Sequence, residues 1–351
     1  MTDAAAPLAA LPTTLSAPVA AVIAAWATEP RYAADRAALH DLLGRARSGD
    51  TAAIAELEDA FSGPLPIGTG GRRGAVGVGP NRMNATLVRE TAQGVATLVR
   101  AEGAPPKVAV VYDTRTHSRS FALAVADQLA ACDLEALLLD APRPTPQLAY
   151  LVRRERCGAG IVISASHNPP GDNGIKIYGS DGAQVLGARD RALMSAIERA
   201  MTAPLSSSTP EQRARIQVAA DGDVARYDAP YHAFVRAQGG VPGDLGPAGA
   251  NGVVVVFTPL HGVGHTAVLP VLHSRGVAPI VVEAQLPDGG RFATVPSANP
   301  EVPETLALAI ATGEEHGADL VIATDPDADR LGACARNDAG AIEFIDGNRL
   351  G

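Results

Sequence analysis

AGIVISASHNPPGDNGIKIY, residues Ala159–Tyr178, is the stretch on which the fold turns. Its first five residues form a short apolar run of the kind found in strands buried on both faces. The cluster Pro169-Pro170-Gly171-Asp172 then forbids regular structure, which places Ser166 on a tight turn at a strand's carboxyl end. Loops at that position are where α/β folds keep their chemistry. Two serines, a histidine, two asparagines and a lysine on one loop read as a phosphoryl-transfer site.

Outward from this run the pattern alternates. On the amino-terminal side, helical spacing at Ala85–Arg100, Ser118–Ala131 and Thr145–Arg156 separates strand-like runs at Lys107–Tyr112 and Leu134–Leu139. Beyond it, Ile175–Val185 reads as a hairpin around Gly179-Ser180-Asp181-Gly182, and a helix at Ala188–Ala200 closes the unit. The polar stretch Pro204–Glu211 reads as a linker, because nothing in it can offset the entropy of ordering by burial. A second unit repeats the rhythm, with helices at Val224–Gln238, His265–Ser274 and Pro303–His316. Its strands fall at Val253–Phe257, Pro279–Val282 and Asp319–Ala323. Residues 1 to about 20 read as poorly ordered and Pro18–Ala60 as helical. The fold class expected is α/β: two consecutive α/β/α units with mixed, mostly parallel sheets, at residues 61–203 and 212–346, behind a helical extension at 1–60.

Composition narrows the function. A 351-residue chain that is 46% hydrophobic and 19% charged suits two or three globular units. The net charge of -9 and the lack of a basic, aromatic-interleaved cluster exclude a nucleic-acid surface and favour a small-molecule substrate. No apolar run reaches the ~20 residues that cross a bilayer. The Ala-rich start carries no basic residue before Arg31, so it reads as neither a leader nor a transit peptide, and the cytoplasm is the expected compartment. Cys132, Cys157 and Cys334 are widely spaced and read as buried reduced thiols. The chain has 27 arginines and two lysines, Lys107 and Lys176. A lysine kept in such a sequence points to work that arginine cannot do, namely titration.

Asp325-Pro326-Asp327-Ala328-Asp329-Arg330 follows a strand-like run, and its three carboxylates at alternate positions can converge on a hard cation such as Mg²⁺. An EF-hand is excluded, since its sixth and twelfth positions are here Arg330 and Arg336. An Asp-x-Asp phosphatase of haloacid-dehalogenase type, with Asp325 as nucleophile, stays as the runner-up. Gly68-Thr69-Gly70-Gly71-Arg72-Arg73-Gly74 is a glycine-rich dibasic loop suited to phosphate but matches neither the dinucleotide fingerprint nor Walker A. Asn81-Arg82-Met83-Asn84 adds polar contacts or caps the next helix. No Gly-x-Ser-x-Gly elbow surrounds Ser166, which disfavours an α/β-hydrolase. His261, in Thr258–Gly264, reads as shaping its loop, and Asp113 with Arg115 as an internal salt bridge.

Together these motifs resemble the α-D-phosphohexomutases, the phosphoglucomutase and phosphomannomutase family. SASHNPPGDNGIK resembles its active-site loop and DPDADR its metal loop. GTGGRRG, NRMN, YDTRTHS, RPTP, FTPLHGVG and NPE stand in the order of the branch that includes phosphopentomutase and glucose-1,6-bisphosphate synthase. The resemblance runs from about Ala25 to the end. It implies a phosphoryl group carried by Ser166 and moved between the 1 and 6 (or 5) positions of a sugar phosphate through a bisphosphate intermediate. It further implies one Mg²⁺ ion held by Asp325, Asp327, Asp329 and Ser166, and a sugar bisphosphate activator of glucose 1,6-bisphosphate type. Lys176 falls at the family's general acid/base position with His167 as a second contributor, Arg73 and Arg330 add positive charge, and Thr69, Gly70, Arg73, Asn168 and Lys176 contact phosphate or substrate.

The sequence departs from the family pattern at Arg72, where an aliphatic residue is usual, at Ala293 and at Arg349. Members continue into a third, sugar-recognising domain, of which residues 347–351 read as the start, and a fourth that clamps phosphate. A phosphopentomutase, a Mg²⁺-dependent phosphatase and an inactive phosphosugar-binding module are the alternatives to a phosphoglucomutase or phosphomannomutase.

Overall fold

The computed structural model describes residues 15–68, 70–238 and 252–350. The poor order read for residues 1 to about 20 lies mostly outside the described residues, and the phosphate contact read for Thr69 lies wholly outside them. Helices α1 (Ala17–Thr28), α2 (Arg36–Arg47) and α3 (Thr51–Ala60) form the expected helical extension. Asp50 starts α3 by accepting the Ala52 and Ala53 N–H groups on Oδ1. Apolar residues at helical spacing, Val19, Ile23, Trp26, Leu39, Leu43 and Leu57, bury into a core of the extension's own, in which Trp26 stacks on Tyr32 at 4.2 Å.

The first sheet is built from β1 (Gly71–Ala75), β2 (Lys107–Tyr112), β3 (Glu135–Leu139), β4 (Ala159–Ile163), β5 (Asp172–Gly179) and β6 (Ile216–Ala219), in the order β1-β5-β4-β2-β3-β6. Strands β2, β3, β4 and β6 are parallel, while β5 runs antiparallel to both neighbours. The period of two explains why β2 reads as continuously apolar. Val108 and Val110 pack under α4 (Ala85–Ala101), α5 (Ser118–Ala131) and α7 (Gly187–Ala200), whereas Ala109 and Val111 pack under α6 (Thr145–Arg154) and α9 (Asp221–Gln238). Asn84 caps α4 through its Oδ1, which accepts the Leu87 N–H at 2.9 Å.

The second sheet contains β7 (Val255–Thr258), β8 (Ile280–Val281), β9 (Leu320–Thr324), β10 (Leu331–Arg336) and β11 (Ile342–Ile345), in the order β11-β10-β9-β7-β8. Strands β7, β8 and β9 are parallel and β10 antiparallel to β9 and β11. Helices α10 (Val268–Ser274) and α11 (Ala307–Glu315) each follow a 3₁₀ turn, so the two helices read from the sequence begin in tighter coils. Leu260, Phe292, Leu306 and Val321 centre this core. Two α/β units with mixed sheets are thus the architecture, as the alternating pattern predicts.

Three boundaries differ from the sequence reading. The dibasic loop becomes strand from Gly71, because Gly71–Ala75 pairs residue for residue with Asp172–Lys176. The hairpin at Ile175–Val185 is one long strand whose return makes a single bridge, Tyr178 with Gln184. The linker at Pro204–Glu211 does not end the first unit, since β6 joins β3, and Val224 and Tyr227 of α9 pack on the first sheet. Hydrogen bonding rather than apolar burial orders that polar stretch: Ser208 Oγ bonds Asp127, and Thr209 and Gln212 close a capping box on the short helix α8 (Pro210–Arg213). Strands β10 and β11 extend the second sheet beyond the elements read from sequence.

All three cysteines are free; Cys157 and Cys334 are buried and Cys132 is half-buried. Burial pushes the Cys157 thiol up to about 12 and that of Cys334 up to about 11. Among the described residues no helix is long and apolar enough to cross a membrane.

Gly71 tests the β1–β5 junction, because a Cβ there would lie 2.1 Å from the Ile175 carbonyl oxygen. Gly71→Ala is expected to destabilise the chain by about 1–3 kcal/mol in urea titrations. An unchanged midpoint would show that β1 shifts freely.

Candidate active site at the seam of the two sheets

Ser166 follows β4 with φ 54°, a left-handed turn into which its own loop forces it. Its N–H donates to Ser164 Oγ at 2.8 Å, and Gly174 permits the fold-back, since a Cβ there would lie 2.4 Å from the Ser164 carbonyl oxygen. The loop is tied from below by Arg115. Its Nη2 donates to the carbonyls of Ser166 (2.5 Å) and Asn168 (2.7 Å), and its Nη1 to those of Pro169 (2.7 Å) and Asp172 (3.0 Å). Asp113 orients this guanidinium through Nε at 3.2 Å and also accepts Ser118 Oγ at 2.6 Å. The Asp113–Arg115 salt bridge read from sequence is therefore present. Its larger consequence is that one buried fork satisfies four loop carbonyls.

The acidic loop arrives from β9 in the second unit. Asp325 and Asp327 are fully buried, and one carboxylate oxygen from each of Asp325, Asp327 and Asp329 falls within 4.8 Å of the others. Asp325 Oδ1 accepts the N–H groups of Asp329 and Arg330 at 3.1 Å, which curls the loop around it. Gly262 makes room, because a Cβ there would lie 2.3 Å from Pro326 Cα.

Contacts between the two loops make the site. Ser166 Oγ donates to Asp325 Oδ2 at 2.5 Å. Lys176 Nζ, on β5, donates to Asp327 Oδ2 at 2.6 Å and Asp329 Oδ2 at 2.8 Å. Thr145 Oγ1 bonds Asp327 Oδ2 at 2.6 Å while its N–H reaches the Asp327 carbonyl at 2.9 Å. Further along the seam Ser297 Oγ donates to the His167 carbonyl (2.7 Å), Thr114 Oγ1 to that of His261 (2.8 Å), and Arg115 lies 4.9 Å from the Phe292 ring centroid.

Electrostatics follow from this crowding. Burial, then the carboxylates of Asp327 and Asp329, raise the pKa of Asp325. Burial would raise Asp327 as well, but the Lys176 ammonium overrides it and holds that group low. Burial works against the Lys176 ammonium, yet Asp327 and Asp329 outweigh it and raise its pKa. Without a metal, Asp327 and Asp329 hold the Lys176 ammonium between them. His167, by contrast, is lowered by burial and by Arg330 and Arg73, and its Nδ1 lies 3.4 Å from Ser166 Oγ.

The donor set suits a hard divalent cation. It is oxygen-only and carries more negative charge than one ammonium balances. Asp327 Oδ1 is also buried with no hydrogen-bond partner, a costly state for a carboxylate oxygen unless a cation takes it.

The remaining sequence candidates fall around this centre. Arg73 is exposed on β1, where it lines a cleft of about 370 Å³ with Gly70, Gly71, Lys176 and Gln184. Arg330 is half-buried, 3.6 Å from Glu301. Gly70 spends its N–H on Asp190 Oδ1 at 2.9 Å, and Asn168 gives one Nδ2–H to Asp172 at 2.9 Å, which leaves its second free to donate. Thr69 lies outside the described residues. His261 is held by Thr294 Oγ1 at 2.8 Å and the Leu286 carbonyl at 3.1 Å, as a loop-shaping residue would be. Thr145 and Ser297 were not singled out from sequence: their bonds join segments far apart in the chain, and only the RPTP motif hinted at Thr145.

Residues 65–203 match the family description "Phosphoglucomutase/phosphomannomutase, alpha/beta/alpha domain I" and residues 243–340 the corresponding domain II, together more than half of the chain. A phosphoglucomutase of Staphylococcus epidermidis is 36% identical over 298 residues, covering 84% of this chain and 53% of its own length. One from Staphylococcus aureus is 35% identical over 299 residues, with coverages of 84% and 52%. The chain thus spans about half the length of the curated relatives it matches. In fold it is similar to a phosphoglucomutase/phosphomannomutase family protein of Burkholderia thailandensis, with TM-score 0.62, 22% identity, and 80% of this chain and 57% of that one covered.

Arg115→Met is expected to strand four loop carbonyls and lower stability by about 3 kcal/mol or more. Hydrogen exchange across residues 164–172 should rise with it. Exchange that stays at the wild-type rate would show that the loop holds its own shape.

Proposed function

Because the chain belongs to the phosphoglucomutase/phosphomannomutase family, we propose that its two units carry the phosphoryl-transfer half of a phosphosugar mutase, with Ser166 as the carrier. The observation that supports this most is the contact of Ser166 Oγ with Asp325, one of three converging carboxylates supplied by the other sheet, two of them buried. A serine meant only to hydrogen-bond a turn has no need of three converging carboxylates.

In the proposed reaction the Ser166 Oγ–phosphorus bond breaks as an oxygen of the sugar's free hydroxyl bonds to phosphorus, giving a sugar bisphosphate. Ser166 Oγ leaves as a hydroxyl, taking up a proton relayed from the sugar hydroxyl through His167. Its lowered pKa keeps the imidazole neutral around pH 7, and its Nδ1 faces Ser166 Oγ. The bisphosphate turns end for end, and Ser166 Oγ takes the other phosphoryl, releasing the isomeric monophosphate whose oxygen regains a proton. Lys176, whose Nζ reaches the acidic loop, supplies a donor and a positive charge to the oxygens of the group in transit and is the second group that can carry a proton there. Arg73 and Arg330 add charge at the rim. Asp325, Asp327 and Asp329, with an oxygen of the phosphoserine, would hold one Mg²⁺ ion, which offsets charge on the transferred phosphoryl. A sugar bisphosphate of glucose 1,6-bisphosphate type primes unmodified Ser166 by the same exchange. For the whole protein the proposed substrates are hexose 1- and 6-phosphates, with pentose 1- and 5-phosphates the second pair to assay.

Incubation with glucose 1,6-bisphosphate and Mg²⁺ is expected to add one acid-stable phosphate to Ser166, read by intact mass and peptide mapping. Ser166→Ala should take none, and chelation of Mg²⁺ or Asp327→Asn should slow uptake by about a hundredfold or more. An acid-labile phosphate on Asp325 would instead establish the phosphatase reading.

A further inference from the structure

We propose that the helical extension positions Arg73 for phosphate, through a buried ion chain Arg31–Glu90–Arg72 that fixes the face of β1 on which Arg73 stands. This rests on the reading of Arg73 as a phosphate-binding group, given above. Arg72 and Arg73 are neighbours on one strand, so their side chains must leave by opposite faces. Arg72 is buried, donating Nη2 to the Leu65 carbonyl at 3.0 Å and lying 3.7 Å from Glu90 through Nη1. Glu90, on α4, accepts Arg31 Nη2 at 2.7 Å. Arg31 follows α1 and also reaches the carbonyls of Ala203 (3.2 Å) and Ala200 (3.4 Å) at the end of α7. The three side chains keep 10%, 9% and 1% of their exposure, so the chain of charges runs through the interior.

Strand β1 needs such an anchor. It is the edge strand of its sheet, with β5 its one partner strand among the described residues. A one-residue slip would reverse its faces, putting Arg73 inside and Arg72 in the cleft. A slip that brought Arg73 to Arg72's place would carry Arg72 to Gly71's, where a Cβ lies 2.1 Å from the Ile175 carbonyl oxygen, whereas the opposite slip puts Gly71 in Arg72's place and leaves Glu90 without its inner partner. The far end of the extension is fastened as well: Arg82 pairs with Asp59 at 2.7 Å, and Asn81 donates to the carbonyls of Asp59 (3.1 Å) and Ala60 (3.0 Å). Arg73 then lines the cleft that it shares with Lys176.

Two readouts separate this inference from the mutase reading. Amide exchange across residues 71–75, measured on the full chain without any phosphoryl donor, is expected to run about tenfold faster in Arg31→Met than in wild type. It should be unchanged in Arg45→Met, which removes a surface pair of the same extension. Equal exchange in all three overturns the proposal whether or not Ser166 accepts phosphate. In priming by glucose 1,6-bisphosphate, Arg31→Met should raise the half-saturating concentration about tenfold in the wild-type background and leave it unmoved in Arg73→Ala. Losses that simply multiply would mean that Arg31 supports the fold alone. Should Arg31→Met fail to fold, Arg31→Lys, which keeps the charge and loses the planar fork, supplies the same comparisons.

Discussion

Three carboxylates brought within 4.8 Å of one another, two of them sealed from water, repel strongly enough that the arrangement persists only where positive charge meets it. That charge comes from the other sheet, as the Lys176 ammonium, and the hydroxyls of Ser166 and Thr145 add the donors that finish the task. The rest of the molecule can be understood from this one requirement. Each sheet carries its loop at a strand's carboxyl end, and the glycines at 174 and 262 are there because backbone passes too close for a side chain. The carboxylate left with an unpartnered oxygen, Asp327, is the one from which a hard cation would draw most.

Support beneath the site is of a different kind. Arg115 does for the serine loop what a strand does for its neighbour, satisfying successive carbonyls, but from a single side chain. Its planar fork can do so in one plane while Asp113 fixes the plane's angle. Six of the eight non-glycine residues with positive φ among the described residues gather at the same place: His117, Ser166, Leu260, His261, Phe292 and Ala328 lie in or beside the two loops and the seam between them. Strain there is carried by a surround that leaves these turns no alternative.

Much of this was legible in the sequence, for reasons that can be stated. Strands buried on both faces announce themselves as apolar runs, and helices by their spacing, so β2, β4 and α4 were readable almost to the residue. Ser166, Lys176 and the aspartates stood out because their side-chain types are needed together for one chemistry. What escaped depends on partners remote in the chain. Gly71–Ala75 is polar and glycine-rich, and only the register offered by β5 makes it a strand. The polar stretch before β6 is ordered by side-chain hydrogen bonds to Asp127 and by a capping box, which composition does not reveal. Arg115 was visible as a salt bridge, but its four carbonyls lie more than 50 residues away. Lys176 stood out by its scarcity among 27 arginines, and its ammonium meets two carboxylates of the acidic loop, more than 150 residues away.

Thr145 holds Asp327 by side chain and backbone at once, across the seam. Neither unit owns a finished centre: the serine and the ammonium belong to one, the carboxylates to the other. Parting the units by even a few ångströms would strip the acidic loop of its counter-charge and the serine of its acceptor in the same movement. The seam is therefore an interlock, in which the serine and ammonium of one unit and the carboxylates of the other each find their partner only across it.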